Sequence, residues 1–183
     1  MFSLILIRIT DYFIAITSLI IFAPLILLIS LLIIFLTSHP IFYISLRVGK
    51  NGKLFNIYKF QTMIDQKITF LGFYMRRLSP DEIPQFINVI KGDMSIVGPR
   101  PLPADIENNI NKDLRYQRRL IRLGITGLTQ LKYSGKKRTL EEKINTDILY
   151  LKNLNYIRYL KIIIFTFPTL IRRFNFNKSG NTL

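Results

Sequence analysis

Asp81 and Glu82 stand side by side in the stretch Leu78 to Pro103, LSPDEIPQFINVIKGDMSIVGPRPLP. Carboxylate oxygens bind a hard divalent cation, and a carboxylate can act as a nucleophile on phosphorus. The setting favours both uses. Ser79-Pro80-Asp81-Glu82 predicts a helix start with Ser79 as N-cap, Pro80 at the first helical position and Glu82 closing an S-x-x-E capping box. At such an end the macrodipole keeps carboxylates ionised, and the same backbone N–H groups favour phosphate. An isolated S-x-x-E is more often a helix start and nothing else, so the residues around it decide its meaning. Downstream, Gly98-Pro99-Arg100-Pro101 is a rigid turn: prolines on both sides present Arg100 at little entropic cost.

These residues need a frame. Behind the dyad, Ile83, Phe86, Ile87 and Ile90 recur at helical spacing and predict one buried face, with Gly92 ending the helix. Pro84 cannot donate to the carbonyl of Pro80, so the helix either starts tightly or propagates only from Pro84. Ile41 to Met63 predicts a β-hairpin turning at Asn51-Gly52. A short helix is expected over Phe70 to Leu78. Asp105 to Leu123 has the character of a helix, with Arg115, Arg118, Arg119 and Arg122 as a basic stripe facing either a membrane or a substrate. Leu140 to Tyr159 predicts another helix. Lys161 to Leu170 is apolar but too short to span a bilayer, and flanking basic residues suggest that it lies in the interface.

Tyr12 to Leu36 carries no charge over 25 residues, long enough to cross a bilayer. Pro24 sits near its middle and breaks the helical ladder. Two outcomes fit: a kinked span, or a helix that enters, bends at Pro24 and leaves on the same side. Arg47, Lys50, Lys53 and Lys59 place the following segment on the cytoplasmic side. The whole chain of 183 residues has 26 Lys and Arg against 11 Asp and Glu, a net charge of +15. That admits nucleic acid, an anionic membrane or phosphorylated substrates as partners. There is no cysteine and one histidine, His39, which excludes disulfides, Cys–His catalysis and a His-based metal cluster.

The motifs resemble those of the bacterial sugar transferase family, the monotopic polyprenyl-phosphate phosphoglycosyl transferases. Asp81-Glu82-Ile83-Pro84-Gln85 matches D-E-[LI]-P-Q, Asn88 to Ser95 matches N-V-[LI]-K-G-D-M-S, and Val97 to Pro101 matches V-G-P-R-P. Arg47 to Gly52 and Ile57 to Met63 follow the family's R-V-G-[KR]-N-G and I-Y-K-F-[RK]-[ST]-M, while Asp147, Tyr150 and Leu151 follow D-x-x-Y-[VL]. The chain departs from the pattern at Ala23 (Ser before the bend), Gln61 (a basic residue), Leu123 (Pro), Leu128-Thr129 (Trp-Ala) and Leu131 to Gly135.

The resemblance implies an α+β, mainly helical monotopic membrane protein. It would have a Pro-bent re-entrant membrane helix over 1–40, a catalytic domain over 41–174 with a small β-hairpin and interfacial amphipathic helices, and a mobile polar tail over 175–183. It implies transfer of a sugar phosphate from a nucleotide diphosphate sugar, usually a UDP-sugar, to polyprenyl phosphate at the cytoplasmic face of the bacterial inner membrane. Asp81 would be the nucleophile and a Mg²⁺ ligand, with Glu82 assisting at the metal or in proton handling. Lys59, Arg76, Pro99, Arg100 and Pro101 would bind substrate. No nucleic-acid partner is expected, and a homo-oligomer is compatible. An inactive scaffold of the same fold and a membrane-anchored nucleic-acid binder are the alternatives. The intact dyad and Arg100 favour activity.

Overall fold

The computed structural model describes residues 2–37, 39–133 and 138–179. Ser134 and Gly135, in the segment that departs from the family pattern, and residues 180–183 of the expected tail lie outside the described residues.

The N-terminal apolar run forms two helices, α1 (Phe2–Ile21) and α2 (Ala23–Thr37), broken at Phe22. Pro24 lies in the first turn of α2, where a missing N–H costs least. α1 starts ten residues before the uncharged run and therefore includes Arg8 and Asp11. Both are spent on protein contacts. Arg8 donates to the carbonyls of Val89 at 2.7 Å and Met94 at 3.0 Å. Asp11 accepts from the Ile96 N–H at 2.7 Å, the Ser95 hydroxyl at 2.9 Å and the Tyr159 hydroxyl at 2.8 Å. The far end of α2 packs Ile29 and Ile33 against Phe60 and Met75. Between these anchors Ile20, Ile21, Leu27 and Leu28 are exposed.

The hairpin forms as its Asn-Gly turn predicts. β1 (Phe42–Val48) pairs antiparallel with β2 (Leu54–Phe60), from Phe42 opposite Phe60 to Val48 opposite Leu54. Asn51 and Gly52 both take positive φ, 55° and 78°. A second, minimal hairpin follows, β3 (Met63–Ile64) with β4 (Lys67–Ile68). Then come α3 (Phe70–Leu78), N-capped by the Thr69 hydroxyl, and a 3₁₀ turn at Pro80–Glu82. α4 (Gln85–Lys91) starts just past Pro84 and ends at Gly92, as the proline and glycine positions predict.

The expected capping box is absent. Ser79 is left-handed (φ 65°, ψ 17°), and its side chain makes no cap. Glu82 turns away to bind cations instead. The expected apolar face of α4 is also displaced: Ile90 is exposed, whereas Gln85 and Asn88 are buried. Asn88 is inside because its amide closes two backbone groups of β2, accepting from the Tyr58 N–H (3.1 Å) and donating to the Asn56 carbonyl (2.7 Å). A buried amide whose hydrogen bonds are made costs little, so periodicity finds buried Ile83 and core-packed Phe86 but misses Gln85 and Asn88.

β5 (Met94–Val97) was not legible as a strand. Four buried residues without alternation are ambiguous. It pairs in parallel with β6 (Leu123–Thr126), joined by α5 (Ala104–Asn108) and α6 (Lys112–Arg118). The single helix expected from Asp105 to Leu123 is thus two short helices leading into the first residue of β6. The basic stripe does not form either: Arg118 is 1% exposed between Glu107 (2.7 Å) and Asp147 (3.1 Å), Arg119 meets Glu107, and Arg122 donates to the Gly92 carbonyl. Backbones cross tightly where β5 leaves toward Arg100. A Cβ on Gly124 would sit 2.0 Å from the Gly98 nitrogen. Gly124→Ala is expected to cost about 3 kcal/mol, as overpacking against backbone does; thermal unfolding in detergent measures it.

The chain closes with α7 (Leu128–Lys132), α8 (Leu140–Lys152) and α9 (Tyr156–Ser179). The helix expected to run to Tyr159 ends at Lys152, and the apolar stretch after Lys161 is continuous with Tyr156. α9 extends past residue 174 to Ser179. The main core joins α1, β2, α4, β5, β6 and α9 through Ala15, Ile57, Val89, Met94, Leu123 and Ile162.

Candidate active site

Strand alternation aims the first cation. Phe55, Ile57 and Lys59 share one face of β2, and that face is buried. A lysine on a core-facing position needs a partner, and Glu82 supplies it, with Nζ to Oε1 at 2.8 Å. Arg100, carried out of β5 by the Gly98-Pro99 turn, reaches the same oxygen at 2.8 Å. Pro99 is fully buried and anchors that turn. Its position is further held by Arg118, whose guanidinium donates to the Arg100 carbonyl at 2.9 Å. Arg76 projects from α3 and donates to the Thr62 hydroxyl at 2.9 Å.

Asp81, Glu82, Lys59, Arg76 and Arg100 all line one cavity of about 690 Å³. Five residues dispersed over 42 positions of sequence are thus brought to one place. Pro101 lines a smaller adjoining cavity of about 230 Å³. Pro99 supports the turn from behind. The sequence presents Arg47 only as a flanking charge and a motif position, yet it lines both cavities. The hairpin register contains the signal: Arg47 is opposite Phe55 and Tyr43 is opposite Lys59, so the four lie on one face.

The two carboxylates have separate environments. Glu82 accepts two ion pairs; Asp81 is buried and, among the described residues, takes part in no ion pair. Burial, and then the neighbouring Glu82 charge, push the Asp81 carboxyl above the usual carboxylate range. Burial also pushes on Glu82, but Arg100 and Lys59 outweigh it and hold Glu82 below its ordinary value. The expectation that a helix end keeps both equally ionised therefore needs correction. A short 3₁₀ turn offers little dipole, and burial opposes the Asp81 charge. Held ionised, Glu82 organises Lys59 and Arg100 better than it carries protons. Exchanging it for Gln removes one cause of the Asp81 shift, so in Glu82→Gln the acidic limb of a pH–rate profile is expected to move to lower pH.

Mg²⁺ fits this arrangement in one way. Among the described residues there is no cluster of three or more His, Cys, Asp or Glu able to cage a metal. Mg²⁺, however, is commonly held by one or two carboxylates together with substrate phosphates and water. Asp81, unpaired and facing the cavity, suits that mode.

The bacterial sugar transferase family model matches residues 2–173. The chain belongs to the bacterial sugar transferase family. One relative of this family member is the UDP-N-acetylgalactosamine-undecaprenyl-phosphate N-acetylgalactosaminephosphotransferase of Aeromonas hydrophila, 31% identical over 182 residues, covering 90% of this chain and 43% of that protein. Another is the uncharacterized sugar transferase EpsL of Bacillus subtilis, 36% identical over 142 residues, 70% of this chain and 69% of that one. A third is the UDP-glucose:undecaprenyl-phosphate glucose-1-phosphate transferase of Caulobacter vibrioides, 35% identical over 173 residues, 82% and 64% of the two. The chain spans less than half the length of the Aeromonas relative.

Proposed function

We propose that this sugar transferase moves a sugar phosphate from a nucleoside diphosphate sugar, in the first instance a UDP-sugar, to polyprenyl phosphate. The observation that carries the reading is a buried Asp81, in no ion pair among the described residues, that lines a cavity with Lys59, Arg76 and Arg100. An Asp81 oxygen attacks the sugar-bearing phosphorus. The bond from that phosphorus to the oxygen bridging the two phosphates breaks, and the nucleoside monophosphate leaves with that oxygen. A sugar phosphate remains as an acyl phosphate on Asp81. A phosphate oxygen of the polyprenyl phosphate then attacks the same phosphorus, the Asp81 bond breaks, and the product is a lipid-linked diphosphate sugar.

The cations meet the main obstacle, repulsion between a carboxylate and an anionic diphosphate. Arg76 and Arg100 can fork onto phosphate oxygens, and Lys59 adds a point charge. Mg²⁺ bound at Asp81 and the substrate phosphates would supply further charge neutralisation. Lys59 and Arg76 already pull the Asp81 pKa down against the effects of burial and Glu82, and so favour its nucleophilic form.

The acceptor is confined to lipid, and the exposed apolar side chains fit that demand: Phe13, Ile20 and Phe35 on α1 and α2, Phe70 and Phe73 on α3, Phe165 and Phe167 on α9. α1 has the length and composition to cross a bilayer. A re-entrant course is supported by packing. Arg8 and Ile33 both contact the catalytic body, yet a straight helix would separate them by about 38 Å at about 1.5 Å per residue. The bend at Phe22–Pro24 would then point into the bilayer with the catalytic domain on the cytoplasmic face.

Purified protein in nanodiscs, given Mg²⁺, undecaprenyl phosphate and a panel of UDP-sugars, is expected to release UMP with one or a few of them. No release with any nucleotide sugar would leave the scaffold reading. Topology has its own test, since the chain lacks cysteine. Single Ser3→Cys and Lys53→Cys variants should label from the same side of sealed vesicles; labelling from opposite sides would establish a spanning helix.

A further inference from the structure

The cavity that holds Asp81 is not alone. The smaller one, about 230 Å³, shares four of its walls: Arg47, Lys59, Glu82 and Arg100. These residues form a throat between two chambers. Lys59 and Arg100 are already paired with Glu82, whereas Arg47 is in no ion pair among the described residues. Its Nε is buried without a hydrogen-bond partner. Burial, with Arg100 adding to it against Tyr43 and Asp105, lowers its pKa. Arg47 therefore lines the shared space with its buried Nε unsatisfied and, among the described residues, without an ion pair. An unsatisfied buried donor on a cation is costly unless a ligand completes it, and an anionic oxygen does so best.

The walls indicate which phosphate. The Asp81 chamber includes Phe60, which packs on α2, and Arg76 from α3. That is the side from which a lipid acceptor arrives. Among the described residues, the smaller chamber has none from α1, α2 or α3. It is bounded by Ile57, Pro101, Leu102 and Ile125, with Gln85 as a buried amide: flat apolar surfaces and one donor–acceptor pair suit a nucleobase.

The geometry points to Arg47 as a further substrate-binding residue. It grips a phosphate oxygen on the nucleoside side of the donor, with the nucleoside seated in the smaller chamber and the sugar phosphate held over Asp81. This rests on the transferase reading and adds to it a direction for the donor and a residue that retains the leaving nucleoside monophosphate.

The test is equilibrium binding of UMP, the UDP-sugar and a short-chain polyprenyl phosphate to the full chain in nanodiscs, measured by calorimetry without turnover. Arg47→Gln is expected to weaken UMP and UDP-sugar binding about tenfold or more while leaving the polyprenyl phosphate unchanged. Arg47→Lys, which keeps the charge but not the fork, should fall between and carries the comparison if the Gln variant does not fold. Ile125→Trp, which fills the smaller chamber, should weaken UMP but not inorganic phosphate. UMP binding at wild-type strength in both Arg47 variants would overturn the inference, as would a loss confined to the polyprenyl phosphate. If the wild type binds no nucleotide at all, the transferase reading falls with it; if it does and Arg47 is silent, only this inference falls.

Discussion

Asp81→Asn is expected to abolish nucleotide-sugar-dependent UMP release, with a loss of at least about 10³-fold, while leaving the protein folded. An amide is nearly isosteric with the carboxylate but cannot form the acyl phosphate, and the adjacent carboxylate is engaged elsewhere: Glu82 is drawn off by Lys59 and Arg100. The same exchange should raise thermal stability. Burial and Glu82 elevate the Asp81 pKa in the folded state, so the folded protein binds the proton more tightly than the unfolded chain does. Stability then falls as pH rises from the unfolded value near about 3.9 through the elevated one. At neutral pH the ionised carboxylate is a strain on the fold, and Asn removes it. A higher Tm with no turnover is the signature of a group kept for chemistry. A variant that is both active and unchanged in Tm would sink the nucleophile assignment. Glu82 has the opposite sign: its depressed pKa stabilises the fold above the unfolded value and ceases to as pH falls.

The second large effect is structural. Arg118→Met should cost about 3–5 kcal/mol, because it leaves the carboxylates of Glu107 and Asp147 buried without their shared cation. In a chain of this size that corresponds to a fall in Tm of about 10 °C. The loss extends to the site, since Arg118 also holds the Arg100 carbonyl. The fraction that stays folded is expected to show weakened donor binding, although Arg118 is not among the residues lining either cavity. Unfolding monitored by circular dichroism, with UMP titration of the folded protein at low temperature, separates the two consequences. Arg118→Lys should recover little, because a lysine cannot span Glu107, Asp147 and the Arg100 carbonyl in one plane.

Short-range chemistry could be read directly from the residues. Asn51-Gly52 dictates the hairpin because those residues tolerate positive φ. Pro24 dictates a break, and Pro84 with Gly92 bounds α4, because a missing N–H and a left-handed residue act within one turn. The dyad and its neighbours in fixed order reveal the family. Which polar groups go inside depends on long-range packing. Arg118 belongs to an apparent surface stripe and Asn88 to the polar side of a helix, yet both are buried because partners far along the chain complete their hydrogen bonds. Arg8 and Asp11 stand as flanks of a membrane segment and instead fasten it to β5 and α9. Arg47 became visible once the hairpin register set it beside Lys59. Periodicity records where apolar surface can be buried. It does not record where a charge will meet its counter-charge, because that depends on contacts between residues distant in sequence.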